Sequence, residues 1–355
     1  MTIRVVVVDD SALVRAVLTD IINRSPGLQV VGAAADPYEA REMIRELDPD
    51  VITLDVEMPR MDGLAFLERI MRLRPLPVVM VSTLTERGAA TTLRALELGA
   101  VDFVAKPTLD VRTGLDQLAR EIADKLRAAA QAKVKRKVVV PPAAPEPVQK
   151  SAPMTLPSQQ LVAIGASTGG TEAIREILTH LPAGVPGIVI TQHMPPGFTA
   201  SFAARLDALC RVRVKEAIDG EVIRYGHAYV APGGSHLTVE RSSNGFVTRV
   251  AAGEPVNRHM PSVEVLFGSV ARCAGARATG IMLSGMGSDG ATAMREMRDR
   301  GAYNLVQDEA SCVVFGMPRE AIAAGAADEV VALPDIARRL VARLAALRRP
   351  LPQAA

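Results

Sequence analysis

The sequence predicts an α/β protein built as two doubly wound parallel-sheet domains, the second carrying an antiparallel hairpin. Three observations lead there. Short β-branched runs alternate with amphipathic helical stretches up to about residue 128; a basic, proline-bearing stretch interrupts the pattern; the alternation restarts near residue 158. At 355 residues the chain is about twice a usual domain, in keeping with two. The expected boundaries are 1–125 for the first domain, 126–157 for a linker and 158–348 for the second domain.

In the first domain the strand candidates are Ile3–Val8, Leu28–Gly32, Val51–Leu54, Pro77–Val81 and Val101–Val104. Helical patterns such as "SALVRAVLTDIINR" and "ERGAATTLRALELG" separate them, which makes five βα units. The segment "KVKRKVVVPPAAPEPVQKSAPMTLPS" mixes basic charge, prolines and small residues, a linker composition. The second domain opens with Leu161–Ile164, a helix from about Gly170, Ile188–Thr191 and a helix near Phe198–Leu209. Four shorter β-like pieces follow at Arg213–Glu216, Ala228–Ala231, Leu237–Glu240 and Phe246–Val250, with an Asn-Gly hairpin signal in "RSSNGF". "TGIMLSG" and "GATAMREMRDRG" then return to strand and helix.

Composition narrows the function. The chain is 48% hydrophobic and 23% charged with no Trp, so its cores are built from Val, Ile, Leu and Ala. No apolar run reaches the ~18 residues of a membrane span, and "IRVVVVDDSALVR" runs straight into two acids, unlike a secretory leader. Cys210, Cys273 and Cys312 form neither a disulfide framework nor a CxxC knuckle, so a cytoplasmic protein without membrane insertion is expected. Net charge is +2 but uneven: residues 1–124 hold 14 Lys/Arg against 20 Asp/Glu, residues 125–150 hold 7 against 1, and the remainder 20 against 18. Positive charge gathered in a linker, not on a folded face, argues against nucleic acid as partner.

Parallel sheets collect ligands at the carboxyl ends of their strands. Those ends carry Asp9-Asp10, Asp55, Ser82-Thr83 and Lys106-Pro107 in the first domain. Three carboxylates brought together call for a cation, and hard oxygen ligands suit Mg2+. A lysine at the same rim would neutralise an incoming phosphoryl group and leave one carboxylate as nucleophile. On "VVDDS", "DVEMPRMDG" and "VAKP", residues 2–125 resemble the response-regulator receiver family, whose fold is flavodoxin-like. The resemblance implies Asp55 as phospho-acceptor and Asp9 and Asp10, with Asp55, as holders of Mg2+. It also implies Ser82, Phe103 and Lys106 as the switch residues, and a cis peptide between Lys106 and Pro107.

In the second domain "GASTGG", residues 165–170, permits three readings. It has the spacing of a nucleophile elbow around Ser167. It could cradle a phosphate, although Glu172 stands where a P-loop needs lysine. Ser167 and Thr171 could simply cap the next helix. A nucleophilic serine needs a base and a group to orient it. Of five histidines, His193 follows a neighbouring strand in "GIVITQHMPPGF", which brings it to the same edge as Ser167. His259 competes, His236 is an outsider, His180 ends a helical pattern on the surface, and His227 falls in a turn or strand. Asp289 follows "TGIMLSGMGSDG" as orienting acid or as a helix cap, and the turn near Met286 offers N–H groups to an oxyanion.

On "IGASTGG", "ITQHMPPGF", "VAPGG", "RHMPSVEVLF" and "LSGMGSDGA", residues 158–348 resemble the methylesterase domain of the CheB family, which also carries a receiver in front. That resemblance selects the nucleophile reading. It implies Ser167 as nucleophile, His193 as base, Asp289 as its orienter, and Met286 and Thr168 at the oxyanion. It implies hydrolysis of glutamate γ-methyl esters on methylated chemoreceptors and deamidation of receptor glutamines, with no cofactor for that reaction. A histidine kinase of the CheA type would be the phosphoryl donor, and the unphosphorylated receiver would cover the esterase cleft. Two positions depart from the family pattern, Ser284 where Thr is common and Met260 where Arg is common. The competing classes are a receiver driving a DNA-binding output, which would need a basic helix-turn-helix, and a receiver-linked nucleotide-binding module. An esterase acting on a non-chemotactic receptor is the third.

Overall fold

A computed structural model describes residues 2–58, 62–83, 85–106, 115–132, 134, 159–243 and 245–347. Two compact units divide between Ala144 and Pro145. Pro107 and most of the 126–157 linker lie outside the described residues.

The first unit runs β1 (Ile3–Val8), α1 (Ala12–Arg24), β2 (Leu28–Ala34), α2 (Pro37–Leu47), β3 (Val51–Asp55), α3 (Gly63–Leu73), β4 (Val78–Ser82), α4 (Glu86–Leu98), β5 (Asp102–Ala105) and α5 (Leu115–Ala130). All five predicted strands are present, and α5 continues past residue 125. The sheet is parallel in the order β2-β1-β3-β4-β5, so the chain reverses direction beside β1 and opens a crevice at the ends of β1 and β3. Val5 to Val8 are wholly buried, as strands covered on both faces must be. Helix starts follow local chemistry. Asp36 caps α2 by accepting from Tyr38 and Glu39 N–H, Pro37 opens that helix, and the Glu39 carboxylate reaches back to the Ala35 N–H.

The second unit runs β6 (Leu161–Ala166), α6 (Gly170–His180), β7 (Gly187–Gln192), α7 (Phe198–Leu209), β8 (Arg213–Glu216), β9 (His227–Val230), β10 (His236–Ser242), β11 (Gly245–Ala251), α8 (Val263–Ala274), β12 (Ala278–Met282), α9 (Ala291–Asp299), β13 (Tyr303–Gln307), α10 (Met317–Ala323), β14 (Glu329–Val331) and α11 (Leu333–Ala346). Seven strands form one parallel sheet in the order β14-β13-β12-β6-β7-β9-β8. Among the described strands, antiparallel pairing is confined to β10 and β11, with isolated antiparallel bridges at Val222–Val247 and Val256–His259. Of the four short β-like pieces, β8 and β9 join the parallel sheet, where Ile188 aligns with Ala228 and Val214 with Ala228 from the other side. Residue alternation marks a strand but carries no information on its direction. The hairpin packs on α8, where Ser269 Oγ accepts from Val239 N–H, 3.0 Å. With no Trp in the chain, Tyr229, Phe198 and Phe267 are the largest side chains that are fully buried.

Candidate active site

β6 lies at the middle of its sheet between β7 and β12, with Gly165 aligned to Thr191 on one side and Met282 on the other. Ser167 and His193, directly after β6 and β7, and the 283–290 turn after β12 that carries Asp289 therefore lie at one edge of the sheet. Ser167 comes one residue after β6, its N–H donating to Ser284 O (3.0 Å), while its carbonyl accepts from Gly170 N–H (2.7 Å) and from the Gln192 amide (3.0 Å). The turn is thus tied to both neighbouring strands. The N-cap of α6 is Gly169 at φ +78°, so the Ser167 hydroxyl is not committed to a helix cap. Ser284 Oγ donates to Thr168 O (2.8 Å) and accepts from Val314 N–H (3.0 Å), which fixes Ser284 between the Ser167 turn and the 308–316 loop.

The turn has no spare room at Gly285. A Cβ on Gly285 would stand 2.8 Å from Ser167 Cβ and 2.3 Å from Met317 Sδ. Gly285→Ala is therefore expected to push Ser167 out of place and to lower kcat by about 100-fold. Steady-state hydrolysis beside a thermal melt checks this, and unchanged turnover would contradict the packing.

Asp289 is held by more hydrogen bonds than Ser167. Asp289 is buried and sits beside the N-terminus of α8. Its Oδ2 accepts from His193 Nε2 (2.8 Å) and Val263 N–H (2.6 Å). Its Oδ1 accepts from Ser262 Oγ (2.8 Å), Asn257 Nδ2 (2.9 Å) and, more loosely, Glu264 N–H (3.3 Å). The helix that follows Asp289 is capped by Gly290, so the aspartate caps α8, 26 residues earlier in sequence. Burial alone would raise its pKa, but the hydrogen bond from His193, the charge of that ring once it is protonated in acid, and the Asn257 and Ser262 hydrogen bonds hold it well below the usual carboxylate range.

An ionised carboxylate only accepts hydrogen bonds, so His193 Nε2 carries the proton. That leaves Nδ1 as the lone-pair nitrogen, and it is buried without a hydrogen-bond partner among the described residues. The other histidines fall as follows. His259 stacks face to face on His193, ring centroids 3.6 Å apart and planes 12° from parallel. His236 braces the segment before α8, its Nε2 on Glu254 O (3.0 Å) and its Nδ1 accepting from Ser262 N–H (3.3 Å). His180 ends α6 in solvent, and His227 begins β9. Met286 is half-buried on the turn between Gly285 and Gly287, and Thr168 is buried.

In the first unit Asp9, Asp10 and Asp55 place one carboxylate oxygen each within 4.8 Å of the others. Lys106 Nζ lies 2.7 Å from Asp55 Oδ2 and 3.4 Å from Asp9 Oδ2. Burial raises the Asp55 carboxyl to about 6, and the neighbouring Asp9 charge adds to this against the opposing Lys106. Asp9 Oδ2 is buried and has no well-formed hydrogen bond among the described residues, which leaves it a lone pair for a cation. This donor set of oxygens fits Mg2+. Ser82 and Phe103 are both buried, with Lys125 Nζ 4.9 Å from the Phe103 ring centre.

A family model for the CheB methylesterase matches residues 162–340, and one for the response regulator receiver domain matches residues 5–116. A protein of Albidiferax ferrireducens named protein-glutamate methylesterase/protein-glutamine glutaminase 1 is 63% identical over 350 residues, covering 96% of this chain and 94% of that protein. The chain belongs to the CheB methylesterase family. A Nitrosomonas europaea protein named protein-glutamate methylesterase/protein-glutamine glutaminase is 59% identical over 348 residues, 96% of each chain. The solved catalytic domain of Thermotoga maritima CheB methylesterase covers 52% of this chain and 99% of its own, with a TM-score of 0.51 and 36% identity. In this CheB family chain, sequence reasoning missed the residues that hold the acid and the turn: Asn257, Ser262 and Gln192. The signal for Asn257 is its place in "VNRHMPS", two residues before His259.

Proposed function

We propose that this CheB family protein is a phosphorylation-controlled serine hydrolase in which Ser167 is the nucleophile, His193 the base and Asp289 the group that orients it. It removes methyl groups from glutamate γ-esters of chemoreceptors and deamidates receptor glutamines. The observation that carries the reading is the His193 Nε2–Asp289 bond together with the unpartnered Nδ1. Nδ1 takes the Ser167 proton as Oγ attacks the ester carbonyl, and returns it to the departing methanol. The new imidazolium faces an Asp289 that is already ionised. N–H groups of the turn at Met286, and of Thr168, stabilise the tetrahedral oxyanion. Water, deprotonated by the same Nδ1, then releases glutamate.

Control resides in the first unit. Asp55 accepts the phosphoryl group from a histidine kinase of the CheA type. Asp9, Asp10 and Asp55 would hold Mg2+, which when bound would neutralise charge on the carboxylates and the incoming phosphoryl oxygens. Lys106 pairs with the phosphoryl group, and Ser82 and Phe103 respond to it. No described helix is long and apolar enough to cross a membrane, and a cytoplasmic enzyme meeting its receptors from that side is the location this chemistry needs.

Methanol release from methylated receptor membranes tests the assignment, with and without a small phosphodonor and Mg2+. The Asp55→Asn variant is expected to keep basal release and lose the phosphodonor-dependent rise. A full rise in that variant would remove Asp55 from its role.

A further inference from the structure

We propose that His259 is a positioning residue which sets how well this site hydrolyses a primary amide relative to a methyl ester. The inference rests on the two-substrate reading above. Its base is the stack of His259 on His193, 3.6 Å apart and within 12° of parallel. The platform is firm. Val256 and His259 bond each other through both backbone pairs, around Asn257 and Arg258 at φ +51° and +72°, the two-residue turn with both centres left-handed. That one turn delivers Asn257 to Asp289 and His259 to His193. Gly234 N–H holds the next carbonyl, Met260 O, at 3.2 Å, and His236 holds Ser262.

The two substrates ask different things of the His193 ring. In both, Ser167 Oγ bonds to the carbonyl carbon as Nδ1 takes its proton. With the ester, the C–O bond breaks while the proton is still only partly delivered, because an alkoxide is a tolerable leaving group. With the amide, the C–N bond breaks only as that proton reaches nitrogen, and ammonia leaves. The amide transition state therefore needs a fully formed imidazolium, aimed and held. A ring face laid on the His193 ring fixes its plane, and with it the line along which Nδ1 delivers the proton. Both reactions then share one acyl-serine, cleaved by water to glutamate, so the difference lies in acylation alone.

The test compares the full-length protein and its variants on receptor membranes carrying methylated glutamates and on membranes carrying glutamine at the same positions. His259→Ala is expected to lower kcat for ammonia release about tenfold, and kcat for methanol release no more than about twofold. His259→Phe keeps a stacked ring without a titrating nitrogen, and is expected to restore the ratio of the two rates to within about twofold of the wild type. Equal losses in both reactions, or a Phe variant with the ratio of the Ala variant, would overturn the inference. Absence of Ser167-dependent methanol release from the unaltered protein would instead sink the reading beneath it.

Discussion

Ser167→Ala is expected to lower methanol release by at least about 10^4-fold and to leave the fold as stable as before. On the proposed roles Ser167 makes the acyl bond, so its loss leaves only the rate that oxyanion donors and binding supply unaided. Stability should change by no more than about 0.5 kcal/mol. The Ser167 backbone makes the ties to Ser284, Gly170 and Gln192, and alanine keeps all of them. Methanol assays paired with a denaturant titration separate the two effects. Residual turnover within tenfold of the wild type would mean that another group attacks the ester.

Asp289→Asn should be nearly as damaging to turnover, by about 10^4-fold, and unlike the serine change it should destabilise the protein. The carboxylate accepts from five donors: His193, Val263, Ser262, Asn257 and Glu264. An amide at this place turns one oxygen into a donor, which must face donors, and it allows His193 to adopt the tautomer with its proton on Nδ1. We expect a stability loss of about 3 kcal/mol. The pH dependence has a definite sign. Asp289 has a lowered pKa in the folded protein, so its stabilising contribution is complete above the unfolded carboxylate value near 4. It drains away as pH falls from there through the lower folded value. The gap between wild type and Asp289→Asn in denaturant titrations should therefore narrow in acid below about pH 4 and stay constant above about pH 5. A gap that widened in acid would show that the carboxylate is not ionised in the folded state.

The strand ends were legible because they combine two signals, a β-branched run and an abrupt change to Asp, Ser or Gly. Asp9, Asp55 and Ser167 stand at such breaks, and His193 stands where the β7 run gives way to Met-Pro-Pro-Gly. β13 lacks both signals. It reads Tyr-Asn-Leu-Val-Gln, with Asn304 and Gln307 buried, and such residues do not mark a core strand until their partners are known. Here Asn304 donates to Met294 O and Ala326 O, and Gln307 accepts from Ser284 N–H. The cradle of Asp289 was hidden by distance, since Asn257 and Ser262 lie 32 and 27 residues away in sequence. Its backbone gave no hint either: Asn257 and Arg258 adopt positive φ without being glycine. Parallel pairing of β8 and β9 was hidden because a four-residue alternation looks the same whichever way its partner runs.

The aspartate that caps α8 bears on what the reaction must rearrange. In water, stabilising a cation that appears on an imidazole requires solvent dipoles to turn, and that turning is part of the barrier. Here the negative charge facing the ring is already in place at rest. It is held by a helix terminus and two side chains whose positions do not depend on whether the ring is charged. The protein met the cost of assembling that field when it folded. On the proposed mechanism, the proton taken by the ring then moves into a surrounding whose charge is already oriented toward it.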